Sequence, residues 1–356
     1  MLVNIDYENG LRKCAEEIFK ETTIRSGVVL LSGATGLLGH VIVDCLLWAN
    51  KKDIGKFRVI ALARNKEQAE LQFKPYLERE DFLFISCDVN KPIPDVGKID
   101  YVIHGASNTH PLSYSTDPIG TIKTNIIGTE NLLEYARTHG CSRFVFLSSV
   151  EIYGENQGEK DKFDEMDFGY LDCNSVRAGY PESKRLGESL CCAYAASYNM
   201  DIVIPRLCRV YGPTMRQDDS KALSQFIRNA VNGDDIVLKS EGKQYYSYIY
   251  VFDAVKAIFY IIDRGKRGYA YNISSELSNK RLYELATKLA EIAGTKVVFE
   301  LPEETEKRGY SNATKAILDN ERLKKLGWNE SFDMDSGLRM TVKILKSLAE
   351  GQEQMI

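Results

Sequence analysis

From residue 27 onward the chain alternates short apolar runs with stretches of helical periodicity, and this alternation constrains the fold most. The runs cover residues 28–31, 58–63, 82–87, 101–106, 143–149 and 202–205. Helical stretches at 37–50, 119–139 and 180–198 separate them. Strands that are apolar on both faces need cover on both sides, and helices between parallel strands supply it. The pattern therefore predicts an α/β fold with a doubly wound parallel sheet. After about residue 206 the rhythm breaks into loop-like pieces at 212–222 and 239–247, with helices expected near 221–232, 253–264, 280–293 and 335–348. This reads as a smaller C-terminal lobe. The expected division is a helical extension (1–26), a main domain (27–205) and a lobe (206–356), with segments near 246–264 returning to the main domain and those near Tyr248 to Val251 to its sheet.

The 356 residues suit one large α/β unit with an appended lobe. A net charge of -4, from 46 basic and 50 acidic residues, offers no footprint for a nucleic-acid partner. No apolar run approaches the roughly 18–20 residues that cross a bilayer. The N-terminus reads as an amphipathic helix, with Leu11, Cys14, Ala15, Ile18 and Phe19 on one face, and not as a signal peptide. The eight cysteines lack any C-x-x-C pair and read as small buried hydrophobes in a reducing cytoplasm. The four histidines, His40, His104, His110 and His139, show no metal-site spacing.

The first run leads into Gly33-Ala34-Thr35-Gly36-Leu37-Leu38-Gly39. Alone, three glycines could simply connect a strand to a helix. Placed after the first strand and opening the first helix, they point to a dinucleotide. They give a tight turn, close backbone approach to a pyrophosphate, and hard helix–strand packing. The helix N-terminus then offers N–H groups to the phosphates. The second run ends at Arg64, where an NAD site usually carries an acid. A guanidinium suits the 2′-phosphate of NADP, unless Arg64 is only a solvated surface residue. Asp88 and Val89, after the third run, are placed to meet an adenine ring.

Tyr180 and Lys184 stand one helical turn apart, so both reach one cleft. A nearby ammonium favours the phenolate of a tyrosine. Ser149, at the end of the fifth run, can hydrogen-bond the same substrate oxygen.

These motifs together resemble the extended short-chain dehydrogenase/reductases, a family of sugar-nucleotide epimerases, dehydratases and decarboxylases with a Rossmann domain and a substrate-binding lobe. The resemblance runs from about residue 28 to 328. It includes the glycine loop, Asp88-Val89, His104 to Ser107, Thr124 to Thr129, Ser148-Ser149, Tyr153-Gly154, Tyr180/Lys184, Arg206 and Tyr211 to Pro213. It implies catalysis by Ser149, Tyr180 and Lys184, and cofactor contacts from Ala106, Ser107, Asn125 and Pro205. It also implies substrate contacts from Ser107, Ser149, Arg209, Arg216, Lys221 and Tyr246, a cytoplasmic homodimer, and no metal.

Ser149-Val150-Glu151 is most similar to the UDP-glucuronate decarboxylase branch, which makes Glu151 a candidate catalytic carboxylate. The alternative is a rim carboxylate held by backbone. Tyr246 stands where these enzymes usually carry an arginine that grips the diphosphate, and Arg216 and Lys221 are candidate replacements. An NADPH-dependent reductase of a nucleotide-linked keto-sugar is a second reading. A non-catalytic dinucleotide-binding protein is a third.

Overall fold

The apolar runs form strands and the periodic stretches form helices in a computed structural model, which describes residues 2, 4–109, 116–158, 160–300 and 313–353. His110 lies outside the described residues. The strands are β1 (Ser26–Ser32), β2 (Lys56–Ala63), β3 (Phe82–Ser86), β4 (Tyr101–His104), β5 (Arg143–Phe146), β6 (Ser148–Ser149) and β7 (Ile202–Leu207). The helices among and before them are α1 (Ile5–Glu21), α2 (Leu37–Lys51), α3 (Lys66–Gln72), α4 (Pro118–Thr138) and α5 (Gly179–Tyr198).

The sheet order is Ala270–Ile273, β7, β5, β4, β1, β2, β3, with β6 also pairing with β7. Every pairing in it is parallel. All six residues of β7 are buried, as a strand covered on both faces requires. The chain moves outward from β1 to β3 and then returns to β4 beside β1. That reversal parts the loops after β1 and β4 and opens a crevice at their C-terminal ends.

The first helix is started by Asn4, whose side chain accepts from the backbone N–H groups of Asp6 and Tyr7 at 2.9 and 3.0 Å. Its buried face carries the five expected residues together with Tyr7. Tyr7 donates to Asp44 of α2 at 2.7 Å, and Tyr76 donates to the other oxygen of Asp44 at 2.8 Å. Roofed in this way, α2 is buried almost throughout from Gly39 to Leu47.

After β7 the chain bends at Cys208 and forms β8 (Arg209–Tyr211), which pairs parallel with Tyr248–Tyr250. The expectation that Tyr248 to Val251 rejoin the main sheet is therefore corrected. The backbone partner of Tyr248–Tyr250 is β8, which has left the sheet, Val251 opens a helix, and Ala270–Ile273 fills the place beside β7. In the lobe, α6 (Ala222–Asn232) packs against the helices Leu282–Ala293 and Met334–Glu353. Next in the chain, α7 (Val251–Arg264) packs on α1, α2 and β7. Among the described residues no helix is long and apolar enough to cross a membrane.

Candidate active site

A cleft of about 1000 Å³ opens at the crevice and extends between the sheet and the lobe. Gly33, Thr35, Gly36, Leu37, Leu38 and Gly39 line one end. Gly33 turns with φ +72°, a conformation that favours a residue without Cβ. A Cβ on Gly39 would lie 2.3 Å from the Gly33 carbonyl oxygen, so only glycine lets α2 approach the turn. Gly36 caps α2 without any side-chain hydrogen bond, leaving the first N–H groups of the helix to face the cleft. The cradle therefore fits a dinucleotide pyrophosphate, with the amino end of α2 as its donor set.

Around this cradle the expected adenosine contacts divide. Arg64 is exposed at the cleft edge and donates to Asn108 at 3.2 Å, while Val89, Ala106 and Ser107 line the cleft. Asp88 is not among the lining residues. Its carboxylate accepts from the Asn90 N–H at 3.0 Å and closes a local turn. Asn125 is also absent from the lining and sits buried behind it. It accepts from Ser107 Oγ at 2.7 Å and donates to Ser183 Oγ at 2.9 Å, which ties the loop after β4 to the first turn of α5. Pro205 lies within β7 opposite Tyr271, and the lining there comes instead from Leu207 and Cys208.

In the middle of the cleft Tyr180, Lys184, Ser149 and Glu151 converge. Tyr180 is buried and hydrogen-bonds Ser149. Burial pushes its phenol up to about 12, opposed in part by that hydrogen bond. Lys184 donates to the Leu147 carbonyl at 2.9 Å and lies 4.8 Å over the Phe146 ring. Burial brings its ammonium down to about 8. The sequence led us to expect Lys184 to lower Tyr180. Instead the charged groups that act on the phenol are Glu151 and Arg177, because the ammonium is directed at a backbone carbonyl.

Towards the lobe Glu151 sits between two arginines. Arg177 Nη2 donates to it at 2.6 Å, and Arg209 Nη2 lies 3.7 Å away. Burial alone would raise the Glu151 carboxyl, but the guanidiniums of Arg177 and Arg209 outweigh it and hold the group below the usual carboxylate range. The partners of Glu151 are thus side chains, beyond the rim-carboxylate alternative. The Arg209 guanidinium stacks on Tyr246, 3.4 Å from the ring centroid. Arg216 and Lys221 also line the cleft, paired with Asp218 and Asp219 at 2.7 and 3.1 Å.

Arg177 was not singled out as a site residue. A signal existed: it stands three residues before Tyr180, a spacing that places both on one side of a helical turn.

The sequence profile of the family described as "NAD dependent epimerase/dehydratase family" matches residues 29–274. UDP-glucuronic acid decarboxylase 3 of Arabidopsis thaliana is 29% identical over 314 residues, covering 87% of this chain and 86% of that protein. Among solved structures, UDP-glucose 4-epimerase of Thermotoga maritima, with UDP-glucose, is 24% identical with a TM-score of 0.76, covering 90% of this chain and 99% of that one. A dTDP-glucose 4,6-dehydratase of Streptomyces venezuelae, with NAD bound, is 22% identical with a TM-score of 0.78, covering 92% and 100%. The profile match spans the parallel sheet, the glycine cradle and the central cleft alike, and the chain belongs to the NAD-dependent epimerase/dehydratase family of enzymes.

Proposed function

We propose that the protein converts a nucleotide-activated sugar through a keto intermediate, in the manner of the decarboxylases and epimerases. The observation that carries this reading is the hydrogen bond between Tyr180 and Ser149, formed inside the cleft that the glycine cradle opens. In this reading residues 27–205 hold the cofactor and residues 206–356 mainly hold the substrate. Ser149 binds the sugar hydroxyl that is oxidised, and Tyr180 takes its proton and later returns it. Lys184, one helical turn beyond Tyr180 and held by the Leu147 carbonyl, anchors the cofactor ribose. Glu151 stays ionised between its arginines and accepts from a second sugar hydroxyl. The cofactor that the cradle would hold would supply the hydride acceptor when bound in its oxidised form.

The name of the Arabidopsis relative and the string Ser149-Val150-Glu151 favour decarboxylation of a sugar acid. Arg64, exposed at the end of β2, supports acceptance of a 2′-phosphate and keeps a NADPH-dependent reductase as a second reading. Exposed Ile119, Leu186 and Tyr198 on α4 and α5 support a homodimer through those helices.

The test is to incubate purified protein with NAD or NADPH and a panel of nucleotide sugars. Product from UDP-glucuronate with no net change in cofactor supports the decarboxylase. Stoichiometric NADPH oxidation by a keto-sugar supports the reductase. Full turnover by Tyr180→Phe refutes the assigned chemistry, and NAD binding without turnover of any nucleotide sugar by the wild-type protein favours one that only binds the dinucleotide.

A further inference from the structure

At the lobe side of the cleft two guanidiniums face one carboxylate, which leaves one positive charge in excess. Arg177, Arg209 and Glu151 are all largely enclosed, with side-chain exposures of 15%, 20% and 20%. Arg209 Nη1 is buried and has no hydrogen-bond partner among the described residues. The neighbouring cations differ, since Arg216 is held by Asp218 through two hydrogen bonds of 2.8 and 2.7 Å and Lys221 is held by Asp219 at 3.1 Å. A buried guanidinium N–H without a partner is unfavourable unless something else fills the position.

The pose of Arg209 is fixed from several sides. Its backbone N–H donates to the Ser247 carbonyl at 3.3 Å, and β8 runs in register with Tyr248–Tyr250. Its guanidinium lies flat on the Tyr246 ring. Tyr246 is itself tied down, its hydroxyl donating to the Ala313 carbonyl at 2.6 Å. A guanidinium stacked on an aromatic face keeps its N–H edge available for an oxyanion.

We propose that Arg209 is the residue that reads an oxyanion of the substrate, and that Tyr246 is its positioning residue. The inference rests on the nucleotide-sugar reading above and deepens it. The oxyanion is either the diphosphate or a carboxylate on the sugar. In both cases it supplies the missing partner of Nη1 while Glu151 stays with Arg177.

Calorimetric titration of the NAD-loaded protein with UDP, UDP-glucose and UDP-glucuronate tests this. Arg209→Gln is expected to weaken binding about ten- to hundredfold. A loss for all three probes identifies the diphosphate, and a loss for UDP-glucuronate alone identifies the sugar carboxylate. Arg209→Lys recovers part of the loss, because it restores charge without the fork. Tyr246→Leu follows the same probe pattern more weakly, whereas Tyr246→Phe keeps the stack and binds within a few-fold of wild type. A general packing defect would instead lower NAD affinity and leave the probe pattern flat. If Arg209→Gln does not fold, Arg209→Lys and Tyr246→Leu carry the decision. Wild-type affinity for all three probes in the Arg209 and Tyr246→Leu variants overturns this proposal alone. A wild-type protein that ignores every probe sinks the nucleotide-sugar reading and the proposal with it.

Discussion

Replacing Gly39 by alanine perturbs the cradle without touching any candidate catalytic group. The added methyl would lie 2.3 Å from the Gly33 carbonyl oxygen and 2.8 Å from both Cα and O of Ala34. All three obstacles are backbone, so no side chain can swing aside. Relief requires the turn to open or α2 to move back, and α2 is packed on its far side by α1 and α7. Overpacking of this kind costs about 1–3 kcal/mol. That amount is divided between the folded state and its affinity for NAD, and a loss taken wholly in affinity is about 5- to 150-fold. Gly36→Ala provides the contrast. Its methyl meets one atom, the Gly33 carbonyl oxygen at 3.2 Å, and its φ of -77° suits any residue. It should leave the urea midpoint nearly unchanged and weaken NAD binding, because the methyl occupies the space of the close backbone approach. Urea unfolding and calorimetric NAD titration on both variants separate the two effects. A Gly39→Ala protein with wild-type midpoint and wild-type NAD affinity would show that the turn is slack, and the packing argument would fail.

Three further outcomes are expected. Tyr180→Phe should lower turnover about 10²- to 10⁴-fold with NAD affinity within a few-fold, measured by product formation and calorimetry. Glu188→Ala removes the carboxylate that Arg206 grips at 2.7 and 3.0 Å in the interior, and should cost about 3–5 kcal/mol in urea unfolding. Adding Arg206→Leu should recover part of that, and a double variant no more stable than the single one contradicts the buried-charge account. His104 is held down to about 3, by burial first and by Lys184 second. The unfolded chain binds that proton near pH 6.5, so the stability linked to neutral His104 is complete above about 6.5 and is lost as pH falls towards 3. His104→Gln should flatten stability against pH across that window by up to about 1.4 kcal/mol per pH unit, and an unchanged slope would argue against it.

The fold was legible because its information is local and periodic. Apolar runs and helical spacing located six strands and the three long helices between them, and the glycine loop marked where the sheet would open. The edge strand Ala270–Ile273 was missed because its four residues, Ala-Tyr-Asn-Ile, carry a buried asparagine and no apolar run. That asparagine is chosen by tertiary contacts, donating to the Phe163 and Asp319 carbonyls at 3.0 Å each. The cleft was legible where one helix or one turn sets the geometry, as for Tyr180 and Lys184 or for Gly33 to Gly39. It was obscure where partners come from distant segments. Nothing in the neighbourhood of Glu151 reveals that residues 177 and 209 will flank it, and nothing near Arg209 reveals that it will lie on Tyr246. Position alone points Asp88 at an adenine, and the turn that its carboxylate closes through the Asn90 N–H is equally local.

The carboxylate shared by Tyr7 and Tyr76 reaches further than fastening one helix. Most surface helices can yield by sliding outward into water when their inner face is crowded. Here the helix that opens the glycine cradle has become an inner layer, backed by α1. A version of the protein that began at the first strand would strip that backing and lay one face of a largely apolar helix, with the Asp44 carboxylate in it, open to solvent. It would gain stickiness and lose the rigidity of the glycine turn together, so the leading helix supports the cradle from the far side of α2.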